Sequence, residues 1–184
     1  MARVVHLQLL GPHTRVSASL CTSCPSGPAG CCAAPPGLSW ADIGRIASLG
    51  HTHWLLDEMR TGRLRKGPRG LIIQRIPDTL VAAKCVYHAE NSGCTVTSDK
   101  RSAACNYYVC GDALLDATGD VVAAEAACAA WMAQYADWDE ILSAEVGGWP
   151  VRPDIPEEDE ALFEHLGKRF SALSKRINAK SFHG

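Results

Sequence analysis

Cysteine is the residue type in this sequence with the most chemistry to offer, and there are nine of them. Thiolate sulfur is a soft ligand that binds zinc and the irons of iron–sulfur clusters. The odd number, together with the adjacent pair Cys31-Cys32, suits a framework of disulfides poorly. In a reducing compartment, metal binding is therefore the better interpretation. The disulfide interpretation would return if the chain were secreted.

Two local spacings narrow the chemistry. Cys21-x-x-Cys24 lets two thiolates converge on one metal from a tight turn. A thioredoxin-like redox pair has the same spacing, but it begins a helix after a strand, and Pro25 does not favour that context. The side chains of Cys31 and Cys32 must diverge because the residues are neighbours. They therefore suit two metals, two irons of one cluster, or one ligand and one nearby thiol.

The sequence predicts a metal site made of eight cysteines. Its ligands are Cys21, Cys24, Cys31, Cys32, Cys85, Cys94, Cys105 and Cys110. The last four contain no second tight pair, so the spacing leans slightly toward an iron–sulfur cluster and leaves zinc open. Cys128 falls on the apolar stripe of a predicted helix and is expected to be a core residue. His88 could replace a thiolate, since it lies between two of the ligands.

The elements around the cysteines are predicted to be short. Residues 21–38 are rich in proline and glycine and cannot continue a helix or a central strand, so an irregular loop is expected there. A strand is predicted over Val4–Leu10. Two further strands, Gly70–Ile76 and Leu80–Tyr87, are split by a turn, and the second runs into Cys85.

Helices are predicted on either side of the later cysteines. Ser39 begins one, with Asp42 as its capping partner and Gly50 as its stop, and Thr52 can cap a second that runs from His53 to Thr61. A long helix over residues 117–144 and a last helix after Pro156 are separated by a break at Gly147–Pro150 and Pro153. Their apolar stripes are Cys128, Trp131, Tyr135, Trp138 and Leu142, then Leu162, Leu166, Phe170, Leu173 and Ile177.

These elements predict an α+β fold, in which a small irregular metal-cluster domain with short strands packs against several helices. The expected division is a cysteine-cluster domain over residues 1–115 and a helical C-terminal region over 116–184 packed on it. Apolar residues make up 47% and charged residues 21% of the chain, which is ordinary globular usage.

Composition also bears on location and partners. No run approaches the roughly 20 apolar residues of a membrane-spanning helix, and Val4–Leu10 is too short and broken for a signal peptide. A cytoplasmic protein is therefore expected. The net charge of −2 makes nucleic-acid binding an unfavoured expectation. The one basic run is interpreted as a solvated loop and consists of Arg60, Arg63, Arg65, Lys66 and Arg69.

The order Cys21-x2-Cys24-x6-Cys31-Cys32, followed by Ser39-Trp40-Ala41-Asp42-Ile43, resembles the YkgJ-type CxxCxxCC cysteine-cluster family, which is described as a zinc- or iron-chelating domain. The later matching parts are Lys84-Cys85-Val86-Tyr87, Gly93-Cys94-Thr95-Val96 and Arg101-Ser102-Ala103-Ala104-Cys105. The resemblance covers residues 21–110 and implies metal binding. The chain departs from the family in the longer gap before Cys31 and in Ser102, where the family prefers proline.

Three functions remain open on the sequence. The first is a metal-binding protein with a redox, maturation or accessory role, with or without a protein partner. The second is a cluster-containing enzyme related to flagellin lysine methylases, some of which look similar in their cysteine region. Tyr107, Tyr108 and Asp99 could then be catalytic, although packing and capping are their simpler roles. The third is a zinc-organised module for protein or nucleic-acid interaction, with residues 39–61 as a helix-turn-helix. The oligomeric state stays open.

Overall fold

The computed structural model describes residues 3–24, 26–147 and 156–180. The α+β class is confirmed: short strands form several small sheets beside helices of very different lengths. The strands are β1 (Val4–Gln8), β2 (Arg15–Ala18), β3 (Leu64–Gly67), β4 (Gly70–Ile73), β5 (Arg75–Ile76), β6 (Lys84–Cys85), β7 (His88–Ala89), β8 (Gly93–Cys94) and β9 (Thr118–Gly119). The helices are α1 (Trp40–Ser48), α2 (Thr52–Arg60), α3 (Ala103–Asn106), α4 (Gly111–Leu114), α5 (Val121–Val146) and α6 (Pro156–Lys180).

The chain divides into two compact units, and each is built from two separate segments. Unit 1 comprises Met1–Pro36 and Ile73–Ala133, and unit 2 comprises Gly37–Ile72 and Gln134–Gly184. Helix α5 contributes its first half to unit 1 and its second half to unit 2. This division differs from the predicted one at residue 115. The difference arises because α1 and α2 pack with α6, which is far away in sequence.

Unit 1 is organised around a three-stranded sheet in the order β2-β1-β9. Strand β1 runs antiparallel to β2 and parallel to β9. Val5 is wholly buried in the centre of the sheet, in a small core with Ala18 and Ala113. Gly119 must be glycine, since its φ is +91° and a Cβ there would lie 2.4 Å from the carbonyl oxygen of Val5. The strand predicted over Val4–Leu10 is confirmed over Val4–Gln8.

The strand predictions downstream are only partly right. The predicted strand over Gly70–Ile76 is two strands, because β4 pairs with β3 and β5 pairs with β6. The predicted strand over Leu80–Tyr87 shrinks to the two residues of β6. Local turn chemistry explains the shortening: the Asp78 carboxylate accepts a hydrogen bond from the Leu80 N–H at 2.9 Å and binds the Lys84 ammonium at 2.6 Å.

In unit 2 the predicted start of α1 is confirmed. The Ser39 hydroxyl accepts a hydrogen bond from the Asp42 N–H at 3.2 Å, and the Asp42 carboxylate accepts one from the Ser39 N–H at 3.1 Å. Gly50, with φ at +82°, follows the end of the helix as expected. Helix α2 begins one residue earlier than predicted, since His51 is its N-cap and Thr52 is its first residue.

Helix α6 packs closely on α1. A Cβ at Gly44 would lie 2.9 Å from the carbonyl oxygen of Leu166, so glycine permits the close approach. The second half of α5 adds aromatic contacts, with the rings of Trp138 and Phe170 at 5.0 Å. The predicted apolar stripes of both helices are confirmed at Tyr135, Trp138, Leu142, Leu162, Leu166, Phe170 and Leu173. The side chain of Ile177, the residues Gly148–Pro150 of the predicted break and Pro153 lie outside the described residues.

The basic run is solvated as predicted, with four of its five cations exposed, but it is only partly a loop. Arg65 and Lys66 belong to strand β3, and three of the five cations face carboxylates. These ion pairs are Lys66–Asp159 at 2.8 Å, Arg60–Asp57 at 2.8 Å and Arg63–Glu58 at 3.6 Å. Much of the positive charge of the run is therefore neutralised within unit 2.

No helix in the described ranges combines the length and the apolar composition that a membrane crossing requires.

Candidate metal centre

The first two cysteines follow directly from the sheet of unit 1. Strand β2 leads into a short 3-10 turn, Ser19–Ser23, which carries Cys21 and contacts both α4 and β8. Cys24 ends this turn, and its carbonyl accepts a hydrogen bond from the Gly27 N–H at 2.9 Å. The predicted irregular loop is thus a series of tight turns, and the next two are Gly27–Ala29 and Cys31–Ala33.

The adjacent cysteines lie in the last of these turns, which contacts β6 and therefore Cys85. The two neighbouring thiols interact with each other and therefore titrate together. The interaction with the Cys32 side chain lowers the pKa of Cys31 to about 6, with burial opposing it, and the same interaction raises the pKa of Cys32.

A hairpin of two short strands, joined by the three residues 90–92, positions Cys94. Strands β7 and β8 are antiparallel, with His88 directly opposite Cys94. The Thr95 N–H donates to the carbonyl of Tyr87 at 2.9 Å, which extends the pairing beyond the strands. Arg101 then fixes the following loop, since its Nε donates to the Val96 carbonyl at 2.6 Å and its Nη2 to the Cys94 carbonyl at 3.3 Å.

Helices α3 and α4 position the last two cysteines. Ser102 is wholly buried and caps α3, where its hydroxyl accepts a hydrogen bond from the Cys105 N–H at 3.1 Å. Cys110 is the N-cap of α4, and its side chain packs with Leu20 against the core of unit 1. Since Leu20 belongs to the same turn as Cys21, this packing brings the two ends of the cysteine segments together.

The pKa values of the thiols show which cysteines lie near one another. Burial raises the pKa of Cys21, and the negative charges of Cys110, Cys31 and Cys24 raise it further, while the Arg101 guanidinium lowers it. Cys21, Cys31 and Cys105 each keep an exposed side, so the desolvation is partial.

The pKa of Cys105 likewise identifies cysteines that lie near it. Burial raises the pKa of Cys105 to about 11, against a hydrogen bond with Ser102 that lowers it, and Cys94, Cys85 and Cys31 add to the rise. Through these interactions and the element contacts, the structure gathers all eight predicted residues in one part of unit 1.

Cys128 is separate from this group. It is half-buried on α5, and burial and the charge of Glu125 raise its pKa, with none of the other cysteines contributing. Its placement on the helix agrees with its predicted spacing, although it is less buried than a core residue.

The donor set fits a soft metal. All nine cysteines lie in the described part of the chain and are free thiols, and sulfur is the ligand that zinc and iron–sulfur clusters prefer. His88 adds a nitrogen donor: its Nδ1 is buried and has no hydrogen-bond partner among the described groups. Directly opposed residues on paired strands share a face, so His88 and Cys94 project to the same side.

The metal would have to tighten this arrangement. Within residues 3–24, 26–147 and 156–180, no three His, Cys, Asp or Glu side chains already stand at metal-binding geometry.

Of the candidate catalytic residues, Tyr107 has a packing role and Tyr108 lies at the surface. The Tyr107 hydroxyl donates to the Thr14 carbonyl at 3.0 Å, and its ring stacks on Trp131 at 6.4 Å. Tyr108 is exposed. Sequence reasoning missed the role of Ser102, which it treated only as a departure from proline. The available signal was a serine three residues before Cys105, the spacing of an N-cap bond.

Comparisons with family models, with curated proteins and with solved structures found no match, so the likeness to the YkgJ-type family rests on the quoted cysteine pattern alone.

Proposed function

We propose that this chain is a cytoplasmic metal-binding protein that holds an iron–sulfur cluster or zinc through eight cysteine thiolates, with a redox or accessory role. The observation that carries the proposal is the gathering of eight cysteines from two distant segments into one part of unit 1. The separate position of Cys128 supports the choice of the other eight cysteines as ligands, because none of them acts on its thiol.

Electrostatics supports a metal over bare thiols. Each thiolate raises the proton affinity of its neighbours, so the group is unfavourable as a set of isolated anions. Arg101 is a cation that acts on Cys21, and a single guanidinium offsets little of that charge. A bound cation would neutralise the thiolates and deprotonate the thiols that coordinate it.

The short turns also support this assignment. Residues 21–36 contain no Val, Ile, Leu, Met or aromatic residue and no α-helix or strand in their described part, so they add little to a hydrophobic core. Binding energy from a structural metal contributes directly to folding, and would stabilise such a segment. An iron–sulfur cluster would supply electron transfer, and zinc would supply a rigid cross-link.

The experiment that tests the proposal is elemental analysis of the full chain purified without oxygen, together with acid-labile sulfide and the visible spectrum. Iron with sulfide and broad visible absorption is the expected result for a cluster, and colourless protein with stoichiometric zinc for a zinc site. Cys21→Ser should lose metal and Cys128→Ala should keep it. Purified protein with neither metal, or full metal content in Cys21→Ser, would overturn the proposal.

A further inference from the structure

We infer that the eight cysteines form two metal centres of four thiolates each, joined at the Cys31-Cys32 dipeptide; this inference rests on the proposed function. Centre A consists of Cys21, Cys24, Cys31 and Cys110. Centre B consists of Cys32, Cys85, Cys94 and Cys105.

The junction follows from backbone geometry. Cys31 and Cys32 are consecutive residues of one 3-10 turn, where side chains lie about a third of a turn apart. Consecutive thiolates therefore point in different directions and do not close well on a single ion. If each member of the pair serves one centre, the other six predicted ligands leave three for each.

Centre A is assembled on the core of unit 1. The turn that carries Cys21 contacts α4, and Cys110 is the N-cap of that helix. Leu20 and Cys110 pack against the same buried residues. Cys21, which follows Leu20, therefore lies on the same side of this core as Cys110. A Cβ on Gly30 would lie 3.4 Å from the Cys24 sulfur, which places Cys24 beside the residue that precedes Cys31.

Centre B is assembled from the short strands and α3. The turn with Cys32 contacts β6, which ends at Cys85. The hydrogen bond from the Thr95 N–H to the Tyr87 carbonyl joins the segment after Cys85 to the segment after Cys94.

Arg101 then links Cys94 to the last ligand of centre B. Its guanidinium binds the Cys94 carbonyl, and the next residue, Ser102, caps the helix that carries Cys105.

The electrostatic neighbours of the thiols follow this division except at Cys31, which also acts on three members of centre B. Charge from Cys110, Cys31 and Cys24 acts on Cys21, all within centre A. Within centre B, charge from Cys85 and Cys94 acts on both Cys32 and Cys105, and Cys31 acts on both as well. Cys31 acts on members of both groups, as a junction residue should. The centres are adjacent, since the turn with Cys21 also contacts β8.

Native mass spectrometry of the anaerobically purified full chain counts the centres. Two zinc ions, or two iron–sulfur clusters, per chain is the expected result. A chain that carries one centre overturns the two-centre inference and leaves the proposed function standing. A chain that carries no metal overturns both.

Paired variants test which cysteines belong together. The double variant Cys24→Ser/Cys110→Ser should keep half of the metal, and so should Cys94→Ser/Cys105→Ser, whereas the four together should keep none. Cys128→Ser is the matched control and should keep all of it. Complete metal loss from either double variant with an unchanged far-UV circular dichroism spectrum would show one shared centre. If a double variant does not fold, the count on the unmodified chain decides.

Discussion

The buried hydroxyl of Ser102 gives the sharpest structural prediction. Ser102→Ala removes the oxygen that accepts the Cys105 N–H at 3.1 Å, and leaves that donor without its cap in a site where Ser102 is wholly buried. Replacing an N-cap serine with alanine costs about 1 kcal/mol of folding free energy. If α3 must form in order to present Cys105, the same free-energy cost lowers the metal affinity. A loss of about 1 kcal/mol raises the dissociation constant roughly fivefold.

The chain offers a matched control in Ser39→Ala. Ser39 makes the same kind of cap in unit 2, where its hydroxyl accepts the Asp42 N–H at 3.2 Å, and no cysteine lies in that helix. Urea denaturation should show a similar loss of about 1 kcal/mol in both variants. Competition with a chelator should show weaker metal retention in Ser102→Ala alone. Equal metal retention in the two variants would refute the role of Ser102 in positioning Cys105.

Two further predictions concern the helices of unit 2. Gly44→Ala should lower stability by about 1–3 kcal/mol in thermal denaturation, because the new Cβ would lie 2.9 Å from the Leu166 carbonyl oxygen. Gly111→Ala is the control and should not lower it, since a Cβ there has nothing within 4 Å. Equal loss of stability in the two variants would contradict the packing argument. The Arg169 guanidinium lowers the pKa of Glu145 from its ordinary value of 4.5. The pair therefore stabilises the fold above that value and ceases to do so as the pH falls through the lowered pKa. Glu145→Gln should lose less stability on acidification than the unmodified chain, and an identical loss in urea titrations at each pH would contradict this linkage.

Features encoded over a few residues could be predicted from the sequence. The capping box of α1 needs only Ser39 and Asp42, and the structure contains both of its hydrogen bonds. The buried faces of α5 and α6 follow from apolar residues at steps of three and four, since helix geometry alone determines which residues share a face. The same helical spacing predicts that Cys128 belongs to the stripe of α5 and not to the group of eight cysteines.

Features that depend on distant contacts could not be predicted. Strand β4 has the composition of a longer strand, but its partner is β3, and only tertiary packing selects that pairing. The placement of residues 37–72 with α6 is also a long-range choice, so a continuous division of the chain missed it. Short strands such as β6 depend on the turn at Asp78 more than on strand propensity.

Thiol reactivity tests the central claim most directly. Cys21, Cys31 and Cys105 have exposed side chains, so a bound metal should make them react with an alkylating agent more slowly than they do after chelation. Mass spectrometry of the anaerobically purified chain, alkylated before and after chelation, counts and locates the reactive thiols. The account predicts that Cys128 alone reacts before chelation and that all nine cysteines react in the chelated, denatured chain. Alkylation of Cys21, Cys31 and Cys105 before chelation would contradict it.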